Sequence, residues 1–260
     1  MRVDQPWDDA LLAPIYDAFA FTDDLPLYEQ LAAAQGGRVL ELGCGSARVL
    51  VPLALAGHEV TGVDASPHML ALAREKLEAA GPQVAARVRL VRGDLRTIDL
   101  GERFDLAIVA VKTFAYLVTR GEQQQALAAV ADHLRPGGLL ALDLLNPTPE
   151  WLSRPPGSVR QDVFGELPSS GAIVARTETM VSTDLAAQVR VIRSAYEVVS
   201  DGQVTKRFVE WPFRYTYRFE AEHLLERAGF DVEAVHGGYD GGAFAADSPV
   251  LLLLGRRRGD

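Results

Sequence analysis

A chain of 260 residues, 48% hydrophobic, is long enough to bury one α/β core or one core with a small appendage. Its net charge of −9 argues against a nucleic-acid substrate, which needs a basic face that is not evident here. The single cysteine, Cys44, leaves no intrachain disulfide and no multi-cysteine metal site, so no metal is expected.

The opening stretch Met1-Arg2-Val3-Asp4-Gln5-Pro6-Trp7-Asp8-Asp9 does not read as a signal peptide, and no segment approaches the ~18 apolar residues of a membrane span. A cytoplasmic location without membrane contact is expected. Residues 8 to 35 read as helical and mix aromatics with acids, namely Tyr16, Asp17, Phe19, Phe21, Asp23, Asp24 and Tyr28. Arg38 to Leu42 is a short buried strand, Gly43 and Gly45 allow a tight turn, and Ala47 to Ala56 continues as an apolar helix. The strand Glu59 to Val63 follows and ends at Asp64. Ser66 to Ala80 is a helix capped by Ser66 with Pro67 in its first turn. The strands Arg87 to Val91 and Phe104 to Val111, the helix Glu122 to Leu134 closed by Pro136-Gly137, and the strand Leu139 to Leu145 complete an alternation that implies a parallel sheet with helices on both faces. His133 reads as a charge complement to its helix end.

Residues 146 to 218 break this pattern. Pro147, Pro149, Pro155, Pro156 and Gly157 mark a connector, and the strand-like runs Ile173 to Val181, Gln188 to Val199 and Val204 to Tyr217 follow, with a hairpin turn at Ser200-Asp201-Gly202-Gln203. An inserted antiparallel β-sheet is expected. The helix Glu220 to Ala228, capped at Gly229, and the strands Phe230 to His236 and Val250 to Gly255 return to the core, and Arg256-Arg257-Arg258 reads as a solvated tail.

The strand, glycine turn, helix and strand of residues 39 to 69 form a layout that binds an adenosine-containing cofactor, and Asp64, about 20 residues past the glycines, can accept both ribose hydroxyls. A dinucleotide site wants G-x-G-x-x-G, and Gly43-Cys44-Gly45-Ser46-Ala47-Arg48 lacks the third glycine. Glu41-Leu42-Gly43-Cys44-Gly45-Ser46-Ala47 instead resembles motif I of the class I S-adenosylmethionine (SAM) methyltransferases, E/D-x-G-x-G-x-G, with Ala47 in place of the last glycine. Val91-Arg92-Gly93-Asp94-Leu95, Phe104 to Ala110 and Leu134 to Leu142 resemble later motifs of the same family in order, and the C-terminal helix and strand pair over 219 to 255 matches as well.

The resemblance implies a Rossmann-like, seven-stranded, mostly parallel sheet with helices on both faces plus the inserted sheet. The expected domains are an N-terminal helical lid, 1–37; a SAM-binding core, 38–145; the insertion, 146–218, as substrate cover or dimer interface; and the C-terminal part of the core, 219–260. It also implies SAM as cofactor, bound by Tyr16, Glu41, Gly43, Cys44, Gly45, Arg48, Asp64, Ala65, Met69, Gly93, Asp94, Leu95 and Val111. Glu41 is expected to hold N–H groups of the glycine loop, Arg48 to fork the methionine carboxylate, Met69 to pack on the adenine, and Asp94 to meet its amino group. Cys44 serves mainly as a small residue in a tight loop.

Tyr16, Lys112 and Tyr116 are the candidate catalytic residues, and Tyr28, Phe114, His236 and Tyr239 the candidate substrate contacts. Where Tyr116 falls, some sugar-amine methyltransferases show a histidine; Lys112 could bind an anion or, with a lowered pKa, accept a proton. Methyl transfer from a sulfonium is an in-line displacement governed by positioning, and a base is needed only where the nucleophile must lose a proton. The expected reaction is methylation of a nitrogen or oxygen of a small metabolite, with homodimerisation through the inserted sheet as a further use of that segment. Two alternatives are a SAM-binding protein without methyl transfer and a nucleotide-dependent oxidoreductase.

Overall fold

The computed structural model describes residues 5–259; Met1 to Asp4, the start of the stretch read above for a targeting signal, and Asp260 lie outside the described residues. In chain order the strands are β1 (Arg38–Leu42), β2 (Glu59–Asp64), β3 (Val88–Arg92), β4 (Phe104–Val109), β5 (Leu134–Leu145), β6 (Val159–Glu166), β7 (Ile173–Asp184), β8 (Val189–Ser200), β9 (Gln203–Arg214), β10 (Phe230–His236) and β11 (Val250–Arg257). The helices are α1 (Leu12–Ala18), α2 (Leu25–Gln35), α3 (Leu50–Leu55), α4 (Pro67–Ala80), α5 (Pro82–Ala85), α6 (Arg120–His133), α7 (Pro149–Ser153) and α8 (Arg218–Arg227). They form two compact units: the larger takes Phe21–Thr148 and Tyr215 onward, the smaller takes Pro149–Arg214 and the described residues up to Ala20.

In the larger unit a seven-stranded sheet has the order β3-β2-β1-β4-β5-β11-β10. The strands β1 to β5 pair in parallel and β11 runs antiparallel to both its neighbours. The chain builds outward from β1 to β3 and then crosses to the other side of β1, so the crevice where α/β sheets bind ligands lies at the C-terminal ends of β1 and β4. Side chains alternate between faces along each strand. Leu40, Leu42, Leu140, Leu142 and Leu144 pack with Leu127, Val130 and Leu225 of α6 and α8, whereas Val39 and Ala141 pack with Leu27, Tyr28, Leu53 and Leu77 of α2, α3 and α4. The same period puts Glu41 and Asp143 on the α2 face, two strands apart.

Several boundaries differ from those read in the sequence. Residues 8 to 35 do not form one helix: a 3-10 turn at Pro6–Asp8 precedes α1, and α2 starts afresh at Leu25. The helix expected from Ala47 begins only at Leu50, because Ala47 takes a left-handed φ of 64° that no α-helix accommodates. The helix α6 starts at Arg120, two residues early, on a Thr119–Glu122 capping box. It ends at His133, and Pro136-Gly137 lies within β5 at a register irregularity. His133 is no charge complement: its Nε2 accepts from the Leu100 N–H (2.9 Å), which requires an unprotonated nitrogen, while Nδ1 lies 2.7 Å from the Ala129 carbonyl. The Arg256 to Arg258 run is no solvated tail either. Arg256 and Arg257 extend β11, and Arg256 and Arg258 bind Glu233 and Asp231 at 2.7 Å.

In the smaller unit β6-β7-β8-β9 form an antiparallel sheet, one strand more than expected. The extra strand, β6, carries Arg160, Gln161 and Asp162 at an edge and shows little hydrophobic alternation. The β8–β9 turn is the expected one, with Asp201 and Gly202 both at positive φ (51° and 74°). A fully buried Arg190 locks the connector onto this sheet. Its guanidinium donates to the carbonyls of Trp151 and Arg154 (2.8 Å for the latter) and to Thr183 Oγ1 (3.1 Å), and stands 4.3 Å over the Trp151 ring. Arg190→Ala should therefore destabilise the protein by about 3 kcal/mol or more, since it strands two carbonyls. A urea midpoint shift worth under about 1 kcal/mol would show that these contacts are not required.

Candidate active site

The glycine loop between β1 and α3 is built around backbone shape. Gly43 and Gly45 take φ of 79° and 52°. A Cβ at Gly43 would fall 2.5 Å from Thr113 Cγ2, and one at Gly45 3.1 Å from Met69 Cε. The loop therefore passes between the turn after β4 and the first turn of α4 only because side chains are missing there. Cys44 is buried beside Gly62, where a Cβ would lie 2.8 Å from its Sγ, so it fills space as expected. Ala47, where the family motif has its last glycine, keeps the glycine conformation despite its methyl.

The loop N–H groups are not held by Glu41. Gly43 and Cys44 donate to the Val63 carbonyl (2.8 and 3.0 Å), and Gly45 donates to Asp64 Oδ2 (2.8 Å). The other oxygen of Asp64 accepts from the Ser66 N–H (2.8 Å), so this carboxylate ties the loops after β1 and β2 together. Ser66 in turn caps α4 through the Met69 N–H at 3.3 Å.

Beneath the loop lies a buried acidic group that the sequence reading only partly identified. Arg48, expected to fork a ligand carboxylate, has a protein partner instead: it binds the fully buried Asp24 through both terminal guanidinium nitrogens, one at 2.7 Å. Asp143, not anticipated at all, is also fully buried; its Oδ2 accepts from the Val111 N–H (3.0 Å) and the Tyr239 hydroxyl (2.7 Å). A lone carboxylate inside the apolar run Leu139-Leu140-Ala141-Leu142-Asp143-Leu144-Leu145 was the signal that could have found it. Glu41 Oε2, Asp143 Oδ1 and the Tyr28 hydroxyl are buried without a hydrogen-bond partner among the described residues.

Burial drives the electrostatics of this group. It pushes the Glu41 carboxyl well above the usual carboxylate range; Arg48 opposes the effect and Asp24 and Asp64 add to it. It pushes the Asp143 carboxyl up to about 6, against the Tyr239 hydrogen bond, the Lys112 charge and the Val111 N–H, with Asp24 adding. Tyr28 is also raised well above its ordinary value by burial, then by Asp143, Asp24, Tyr239 and Glu41.

The remaining candidates fall in several places. Met69 is buried against Gly45. Gly93 donates to the Asp64 carbonyl (3.0 Å), which seats the β3 end beside β2, and Ala65 lies exposed with its carbonyl taking Arg92 Nε at 3.3 Å. Asp94 is clasped by Arg96, whose hydrogen bonds hold its carboxyl below the usual range, and Leu95 packs against the α6 side of the core. Phe114, a substrate candidate, is buried among core side chains, while Lys112 and Tyr116 of the same turn are only half-buried. His236 ends β10, pairing with Leu252 and bridging Ala243, and Tyr239 meets Phe21 with ring centroids 5.5 Å apart. Tyr16 belongs to the smaller unit, where its ring packs edge-on to Trp7 at 5.7 Å.

Comparison with known proteins agrees with this geometry. Residues 39–138 match the model of a methyltransferase domain. A cypemycin N-terminal methyltransferase from a Streptomyces species is 29% identical over 86% of this chain and 84% of its own length. The structure of the CcbJ methyltransferase from Streptomyces caelestis superposes with a TM-score of 0.80 at 27% identity, over 98% of this chain and 99% of that one. Residues 39–138 thus match a methyltransferase domain, and the chain as a whole has the fold of these methyltransferases. The SAM-bound amino pentose methyltransferase CalS10 from Micromonospora echinaspora superposes with a TM-score of 0.69 at 26% identity, over 99% and 98% of the two chains. Some curated relatives are matched over only about half their length, 53% in one case. SAM fits the residues present here: a side-chain-free loop, an acidic residue ending β2, and orphaned buried acidic and hydroxyl oxygens suited to a cationic ligand.

Two outcomes follow from the buried carboxylates. Arg48→Met should cost about 3 to 5 kcal/mol by leaving Asp24 buried and unpaired, and any loss of affinity should be equal for SAM and 5′-methylthioadenosine; a loss confined to SAM in calorimetry would return the guanidinium to the donor carboxylate. The folded protein holds a proton on Asp143 up to pH about 6, whereas the unfolded chain releases it near ~4, so this group's contribution to stability declines as pH rises through that window. The stability of Asp143→Asn relative to wild type should thus improve between pH 4 and pH 8, by at most about 3 kcal/mol. Parallel urea curves at both pH values check this, and a difference independent of pH would place the carboxyl in an ordinary environment.

Proposed function

We propose that this methyltransferase moves the methyl of SAM to a nitrogen of a small metabolite. The observation that carries the reading is the buried carboxylate group formed by Asp24, Glu41 and Asp143 beside the glycine loop, with Arg48 committed to Asp24. With Glu41 raised well above the usual carboxylate range and Asp24 paired to Arg48, the charge left at neutral pH is that of Asp143, and this negative charge favours a cationic amine over an anionic acceptor. The relatives support it, since one is named for N-terminal methylation and another for an amino pentose.

When bound, SAM supplies a sulfonium-activated methyl that an acceptor lone pair takes by in-line displacement. The residues proposed to hold it are Gly43, Gly45, Asp64 and Met69. Asp64 accepts from the Gly45 and Ser66 N–H groups, which fixes its carboxylate at the end of β2, where the ribose hydroxyls are proposed to meet it. Lys112 and Tyr116, on the turn after β4, are proposed to line the acceptor side. An amine that enters protonated must lose that proton before it can attack.

A metabolite extract incubated with labelled SAM, followed by mass analysis, tests the reading. A labelled amine is expected, and label on oxygen or carbon would sink it. Asp64→Ala should weaken SAM about 10-fold to several hundred-fold, because charged hydrogen bonds are each worth ~1.5 to 3 kcal/mol; wild-type affinity by calorimetry would remove Asp64 from the site.

The smaller unit supports a second part of the proposal, pairing of two copies. Register places Phe164, Ile173, Val199, Val204 and Phe208 on one face of its sheet, all exposed. Phe208→Lys should turn a dimer into a monomer in sedimentation, and a wild-type protein that sediments as a monomer at every concentration would refute the pairing.

A further inference from the structure

The turn after β4 is the one place among the described residues where two successive non-glycine residues take positive φ, Val111 at 46° and Lys112 at 63°. Each such residue costs about 1 to 3 kcal/mol and persists only where its surroundings over-determine it, and a β-branched valine is a poor choice for that conformation. The hold comes from the neighbouring strand. Val111 N–H donates to Asp143 Oδ2 at 3.0 Å, and the same oxygen accepts the Tyr239 hydroxyl at 2.7 Å from the loop after β10. On the far side of the turn, Thr113 N–H and Oγ1 both donate to the Ala110 carbonyl (3.1 and 2.8 Å), and the Thr113 methyl presses on Gly43, where no Cβ could fit. One buried oxygen thus links the loop after β10, the turn after β4 and the glycine loop.

We infer that Asp143 is a positioning residue of the transfer site: it holds the Val111–Lys112 turn in its left-handed form and so sets the wall carrying Lys112 and Tyr116 against the glycine loop. The inference rests on the proposed methyl transfer for its purpose and on this geometry for its substance. In-line displacement tolerates little misplacement between donor and acceptor walls, so a single brace across both serves the reaction. The groups that face Asp143 are Tyr239 from the β10 loop, Lys112 on the turn, Tyr28 on α2, and Asp24 ahead of α2 with Arg48 bound to it; Glu41 on β1 acts on the same Tyr28.

The test uses the full chain with Asp143→Asn and Tyr239→Phe. The Val111 amide and the Thr113 methyl are followed by NMR from pH 8 to pH 5, with SAM affinity by calorimetry and kcat on the acceptor amine found in the labelling assay. In wild type both resonances should move together with one shared midpoint. Tyr239→Phe should raise that midpoint, since the hydroxyl no longer favours the ionised carboxyl, and Asp143→Asn should abolish it. Tyr239→Phe should lower kcat about 10-fold or more while SAM Kd changes less than about threefold and Tm stays within a few degrees. A Thr113 methyl that ignores the titration of its neighbour, or a kcat loss that only tracks Tm, overturns the inference. If Asp143→Asn fails to fold, Tyr239→Phe decides alone. If no amine acceptor exists, the proposed function fails in the labelling assay while the NMR arm still decides whether Asp143 braces the turn.

Discussion

Carboxylates sealed beneath one face of a parallel sheet are the constraint around which the larger unit is organised. Strand alternation sends Glu41 and Asp143 to the side covered by α2, and Asp24, which opens α2, brings a third acid to the same place. An ionised carboxylate in such surroundings must find a cation, a hydrogen-bond donor or a proton. Asp24 takes the Arg48 guanidinium, Asp143 takes one N–H and one hydroxyl, and Glu41 favours its proton. The first two solutions draw loops inward. The conformations of the segment before α2, the turn after β4 and the loop after β10 are consequences of satisfying these acids.

The glycine loop illustrates the complementary problem of space. Its two glycines are required by Thr113 and Met69, side chains from segments far along the chain. Its hydrogen bonds are supplied by β2, through the Val63 carbonyl and the Asp64 carboxylate, and not by the glutamate of its own motif. Glu41 belongs to the buried acidic group, so the role suggested by its adjacency to the loop is filled by a residue on the next strand.

Legibility in the sequence varied with the range of the interaction. The seven-stranded core, its parallel order and the hairpin at Asp201-Gly202 were readable because periodicity, caps and turn residues act over a few positions. The edge strand β6 was missed because its charged positions weaken the alternation, and the Arg256 to Arg258 run was misread because its partners, Glu233 and Asp231, lie on the neighbouring strand β10. His133 was assigned a charge from its place on a helix, whereas a distant backbone N–H at Leu100 dictates a neutral ring.

By itself, then, the sequence determined the fold class, the cofactor family and the position of the glycine loop, because each is written in short-range patterns of glycine, carboxylate and apolar spacing. Only the tertiary structure decided what the charged residues do. Arg48 faces a protein carboxylate because α2 carries Asp24 to it, 24 positions earlier in the chain. Asp143 matters because β5 lies beside β4, so that a carboxylate reaches an amide 32 positions away. Burial and charge compensation depend on which segments meet in space, and no local pattern encodes that meeting.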